Sequence, residues 1–66
     1  MTEKAKMMLN MAESIAKLNN VTVERIDLNL VHMGFEGKFD HYVLTAWYSD
    51  GKQITIRQDC TITEKE

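Results

Sequence analysis

The chain has 66 residues, 44% of them hydrophobic, and a net charge of −2. A domain this short buries only about 60% of the surface its unfolded chain exposes, so its own core gives marginal stability. The lone cysteine excludes an internal disulfide, the acidic balance lacks the basic footprint of a non-specific nucleic-acid binder, and no run approaches the roughly 18 apolar residues of a membrane span.

Residues 3–18 read as a helix. Ala, Met, Leu, Lys and Glu dominate the stretch and are good helix formers. Thr2 suits the N-cap, Glu3 suits the positive end of the helix dipole, and Glu13 with Lys17 forms an i,i+4 pair. Asn10, Glu13, Ser14 and Lys17 interrupt the apolar residues, so no signal-peptide core forms. Asn19-Asn20 is the expected stop, because Asn tolerates the left-handed conformation that ends many helices.

Beyond it the period changes from helical to alternating. The first strand is expected over 23–33, with Ile26, Leu28 and Leu30 on one face and Arg25, Asp27 and Asn29 on the other. Val21 and Val23 fall on the wrong parity, which suggests a bulge or a lead-in. Residues 34–38 form a turn, and the second and third strands are expected over 39–48 and 52–63.

Asp50-Gly51 between the last two runs is a strong hairpin signal. A two-residue turn would pair Ser49 with Lys52; a three-residue loop with a glycine bulge would pair Tyr48 with Lys52. If Met33 pairs with Phe39, only the bulged loop brings Leu30, Leu28 and Ile26 onto one face with Tyr42, Leu44, Ala46, Ile54 and Ile56. The expected fold is therefore α+β: an N-terminal helix packed on one face of a three-stranded antiparallel meander, αβββ, in one domain over 1–66. The expected core is Met8, Met11, Ala12, Ile15, Leu18, Ile26, Leu28, Leu30, Leu44, Ala46, Ile54 and Ile56, with Tyr42 and Tyr48 at its ends.

Two surfaces stand out. The helix is apolar over roughly 200°, where one sheet needs little more than about 100°. Met7, Met11 and Leu18 form one flank, and Ala5, Leu9 and Ala16 the other. Methionine suits adaptable interfaces, so the Met7–Met11–Leu18 flank is a candidate contact for a partner helix or groove. The sheet face away from the helix carries Arg25, Asp27, Asn29 and Val31, then His41, Val43, Thr45 and Trp47, then Gln53, Thr55, Arg57 and Asp59. Trp47 falls between Arg25 and Gln53, where a cation–π contact with Arg25 is in reach. A central tryptophan on a polar face is a binding hot-spot candidate, with Arg25, Val43 and Arg57 around it. Trp47, Arg25 and Arg57 also imitate a single-strand nucleic-acid platform, although Asp27 and Asp59 among them would repel phosphate.

Candidate chemistry is sparse. His32, Asp40 and Cys60 are expected as a cross-strand row, a possible metal or minimal enzyme site at a subunit interface. Asp40 in the middle is the wrong order for a nucleophilic triad, and the row has no metal-motif spacing. His41 opposite Asp59 reads as a surface pair. A small sheet with one helix is expected to lack a pocket of the usual 300–1,000 Å³. No cofactor motif, catalytic residue or metal-ligand set is assigned. The lone thiol fits a reducing, cytoplasmic setting. The first and third strands are expected as unprotected edges, with Ile62 beyond the end of its hairpin partner. The expectation is a non-enzymatic protein-interaction module, an adaptor or inhibitor of a protein partner, that self-associates as a homodimer.

Overall fold

The computed structural model describes residues 2–65. One helix, α1 (Glu3–Leu18), packs on an antiparallel sheet of β1 (Val23–Met33), β2 (Lys38–Tyr48), β3 (Gln53–Arg57) and β4 (Ile62–Lys65). The strands lie in the order β1-β2-β3-β4, a simple meander. The fold is α+β.

The helix ends as its sequence dictates. The Thr2 hydroxyl accepts from the Ala5 N–H at 3.2 Å, satisfying one of the unpaired donors of the first turn. At the other end Asn20 is left-handed (φ +57°). Its N–H reaches Lys17 O at 3.2 Å, and the Val21 N–H reaches Ala16 O at 3.0 Å. These two crossed bonds close the carbonyl end of the helix.

The β2–β3 hairpin takes the bulged three-residue loop. Tyr48 N–H donates to Lys52 O, Gly51 N–H donates to Tyr48 O, and Gly51 has φ +87°. The Lys52 N–H is held by Asp50 Oδ1 at 3.0 Å. Leu44 therefore faces Ile56, and Ala46 faces Ile54. On the other side Ile26, Leu28 and Leu30 face Ala46, Leu44 and Tyr42, as the alternation requires.

The long third strand of the sequence reading is two strands. The chain turns at Gln58–Thr61 by repeating the preceding loop bond for bond. Arg57 N–H donates to Thr61 O, Cys60 N–H donates to Arg57 O, and Asp59 Oδ1 accepts from the Thr61 N–H. Cys60 stands where Gly51 stood, with φ +72°. Thr61 hydrogen bonds hold the Asp59 carboxyl below the usual range, with Arg57 assisting. Ile62 consequently pairs with Ile56 rather than running past its partner, and the second sheet edge is β4, not β3.

Both ends of β1–β2 also slip by one residue. Val23 pairs with Tyr48, which leaves Glu24 as an extra residue and gives the bulge that the valine parity suggested. At the far end His32 pairs with Phe39 and Met33 with Lys38, so Asp40 is the extra residue and Met33 does not meet Phe39.

The core is Ala5, Met8, Ala12 and Ala16 from α1 against Leu44, Ala46, Tyr48, Ile54 and Ile56 from the sheet. The helix is thus rolled towards its alanines. Small side chains let its backbone approach the sheet closely enough for the Tyr48 hydroxyl to donate to Ala12 O at 2.8 Å. The roll leaves Met11 and Ile15 half-buried and Leu18 85% exposed. Leu30 is also exposed, because it lies beyond the part of the sheet that the helix covers. Neither Leu18 nor Leu30 belongs to the core.

Two outcomes follow. A side chain at Cys60 strains the left-handed backbone, so Cys60→Gly is expected to stabilise the domain by up to about 1 kcal/mol and Gly51→Ala to destabilise it by about that much. Urea midpoints under reducing conditions measure both. Tyr48 gives a pH dependence. Burial first, then the Glu13 and Asp50 carboxylates, raise its pKa above the ordinary 10.0. The folded protein then keeps a proton that the unfolded chain releases. This stabilisation is complete below about pH 10 and is lost as pH rises through the folded value. Comparing the urea midpoints of wild type and Tyr48→Phe across that alkaline range should show an extra loss in the wild type alone.

Candidate interaction surfaces

The shape of the molecule is set by a mismatch of lengths. Eleven strand residues in β1 span about 36 Å, whereas the sixteen-residue helix spans about 24 Å. The outer half of the β1–β2 hairpin therefore projects as an arm past the helix N-terminus. The Cα radius of gyration is 12.6 Å, against about 10.8 Å for a compact domain of this length. The accessible surface is 4790 Å², against about 4300 Å² for a folded monomer of this mass.

The arm is apolar where it should be polar. On the helix-side face Leu30 is 53% exposed and Phe39 44%; Met33 is 58% exposed on the other face, and Phe35 in the turn is fully exposed. Phe39 packs on Tyr42 with ring centroids 4.7 Å apart, and His32 meets Phe39 edge-on at 6.2 Å. His32 Nδ1 donates to Gly37 O at 2.9 Å, which ties the turn back onto the strand. Tyr42 anchors the root of the arm: its N–H donates to Gln58 Oε1, and its hydroxyl lies 3.3 Å from the Thr2 hydroxyl. The aromatic row thus runs from the helix cap to the tip. The charges at the tip, Glu36 and Lys38, pair with each other at 3.0 Å.

The surfaces expected from the sequence are separate from this arm. Met7 and Leu18 are exposed along the helix flank, with Met11 half-buried between them. On the opposite side of the molecule Arg25, Val43, Trp47 and Arg57 share the open sheet face. Arg25 stacks over Trp47 at 4.8 Å from the ring centroid and also bonds Asp27 at 3.1 Å. Trp47 lies between Arg25 and Gln53, and Val43 between Asn29 and Arg57. β4 extends this face with Thr63 and Lys65.

The row of His32, Asp40 and Cys60 does not form. His32 is held by Gly37 O, the bulge turns Asp40 onto its neighbour His41 (Nδ1 to Oδ2 2.6 Å), and Cys60 is exposed in the β3–β4 turn. His41 consequently faces Asp40 rather than Asp59, whose carboxylate holds Thr61. Among the described residues, no group of three or more His, Cys, Asp or Glu is placed to hold a metal ion. No helix among them is long and apolar enough to cross a membrane.

One cleft does exist, contrary to the expectation from size. It has a volume of about 390 Å³ and is lined by Lys4, His41, Arg57, Gln58 and Asp59. It opens because β3 stops at Arg57 while β2 runs on to Lys38, leaving a notch at the end of the sheet. Most of its polar groups already have partners: His41 with Asp40, Gln58 with the Tyr42 N–H, Asp59 with Thr61. Compared with known proteins, the chain matches no family model, no curated protein and no solved structure.

The arm leaves one trace in the sequence. Both phenylalanines of the chain, Phe35 and Phe39, fall in or beside a turn, where turn chemistry favours polar residues. Surface and core then separate by mutation. At concentrations where the chain is monomeric, Leu18→Ser and Phe35→Ser are expected to change unfolding free energy by no more than about 0.5 kcal/mol. Leu44→Ala, at a fully buried position, should cost about 2–5 kcal/mol, much of the stability of so small a domain. Chemical denaturation of the three variants measures the contrast.

Proposed function

We propose that this chain is a small non-enzymatic protein-interaction module, an adaptor or inhibitor that acts by binding another polypeptide and that self-associates as a homodimer. The observation that carries the reading is the arm: Leu30, Phe35 and Phe39 exposed on a projecting hairpin, with Met33 exposed on its other face. A contiguous apolar patch of several hundred Å² on a small domain marks a contact surface, and aromatic and methionine side chains are enriched at such contacts. The short core argues in the same direction, since domains of this size commonly take part of their stability from a partner. A cytoplasmic setting fits the lone exposed thiol.

A nucleic-acid reading has one observation in its favour, the Arg25–Trp47 stack on the open face. The same guanidinium is bonded to Asp27, which weakens it as a phosphate ligand. The two readings separate in solution. Light scattering behind a sizing column, at micromolar concentration, should give about twice the 7.7 kDa chain mass. A monomer throughout the accessible range, together with oligonucleotide binding that falls steeply with salt and with Arg57→Ala, would favour the nucleic-acid reading instead.

A further inference from the structure

We infer that the arm is the self-association surface, and that its occupant is the arm of a second copy packed helix-side face to helix-side face about a two-fold axis. The inference rests on the protein-interaction reading above and assigns it a surface.

Area supports a second copy. At the exposures given above, and with large apolar side chains of roughly 150–250 Å², Leu30, Phe35 and Phe39 offer roughly 400 Å² per subunit, Met33 lying on the opposite face of the sheet. The flanking His32 and Tyr42 rings enlarge this towards the about 800 Å² per partner of a stable standard interface. The surplus of accessible surface over a compact monomer of this mass is of the same order.

Charge supports it too. A two-fold contact sets a patch against itself, so any net charge on the patch would meet its like. The arm avoids this: the exposed apolar residues carry no charge, and Glu36 and Lys38 neutralise each other at the tip. Asp40, which strict alternation would place on this face, is instead drawn to His41.

The other surfaces suit self-pairing less well. The free edge of β1 is interrupted by the extra residue Glu24, and the β2 bulge at Asp40 bends the same pair further along. Bulges of this kind twist an edge away from further pairing. The helix flank exposes only Met7 (47%) and Leu18 (85%), three turns apart, with Met11 half-buried between them.

The test compares solution mass across concentration for wild type, Phe35→Ser, the double variant Phe35→Ser/Phe39→Ser, and the flank control Met7→Ser/Leu18→Ser. Phe35 makes no core contact, so its substitution leaves folding intact, and circular dichroism checks the double variant. The expected result is a wild-type and flank-variant dimer, with dimer affinity weakened at least ~10-fold by Phe35→Ser and ~100-fold by the double variant. Arm variants that dimerise as tightly as wild type, or a dimer lost only with the flank substitutions, would overturn the arm assignment and leave the module reading standing. A wild type that stays monomeric would overturn both. Wild type that stays monomeric but sediments with phospholipid vesicles through Phe35 would replace the second copy with a lipid surface.

Discussion

One turn geometry fixes the rest of this molecule. In Tyr48–Lys52 an aspartate holds the amide two residues on, and a left-handed residue between them lets the strand return with one residue looped out. That single extra residue decides parity. With it, Leu44 and Ala46 share a face with Ile56 and Ile54; without it, Val43, Thr45 and Trp47 would, and every side chain of β3 would change sides relative to β2. The helix then has one apolar face of sheet to lie on. Its alanines let it come close, and Tyr48, at the last position before the turn, ties strand to helix through Ala12 O. The turn, the sheet register and the helix contact are thus one constraint expressed at three levels.

The chain uses the same device twice, and the second use explains the fourth strand. Arg57–Thr61 reproduces the bonds of Tyr48–Lys52 with Cys60 in the left-handed position. A glycine there makes the conformation easy; a cysteine makes it strained, and the Thr61 N–H to Asp59 Oδ1 bond helps hold the turn against the strain. The consequence is a short, wholly exposed edge strand. Short, charged edges are one of the ways sheets avoid uncontrolled pairing, and β4 carries Glu64 and Lys65. Glu64 also reaches Lys52 at 3.5 Å, linking the edge back to the first turn.

What was legible in the sequence was whatever had a local chemical signal. Thr2 and Asn20 marked the helix ends, Asp50-Gly51 marked the hairpin, and the wrong parity of Val23 marked a bulge. What was not legible lacked such a signal or depended on shape. Cys60 is no turn residue, so Asp59 alone announced the second loop and the strand was read straight through it. The roll of the helix depends on how closely alanines approach a sheet, which a helical wheel weighted by hydrophobicity misplaces towards Ile15 and Leu18. Arg25, Trp47, Val43 and Arg57 were placed on one face because alternation is reliable between bulges. His32, Asp40 and Cys60 were misplaced because both a bulge and a turn fell among them.

The bulge at Asp40 has the largest consequence for function. Strict alternation from Tyr42 would set Asp40 on the helix side and Phe39 outside. The extra residue exchanges them: Phe39 comes against Tyr42 and His32, and Asp40 bonds His41. The apolar face of the sheet is thereby prolonged from Tyr48 through Leu44 and Tyr42 to Phe39, well past the helix that covers its inner half. A bulge loses regular ladder hydrogen bonds and is retained where it re-aims a side chain. Here it removes a charge from an exposed face and adds a phenylalanine, a change that raises exposed apolar area and gives the isolated chain nothing in solubility. Such an arrangement makes physical sense when the face is covered in the working state, and the chain's own helix is too short to reach the arm's part of that face.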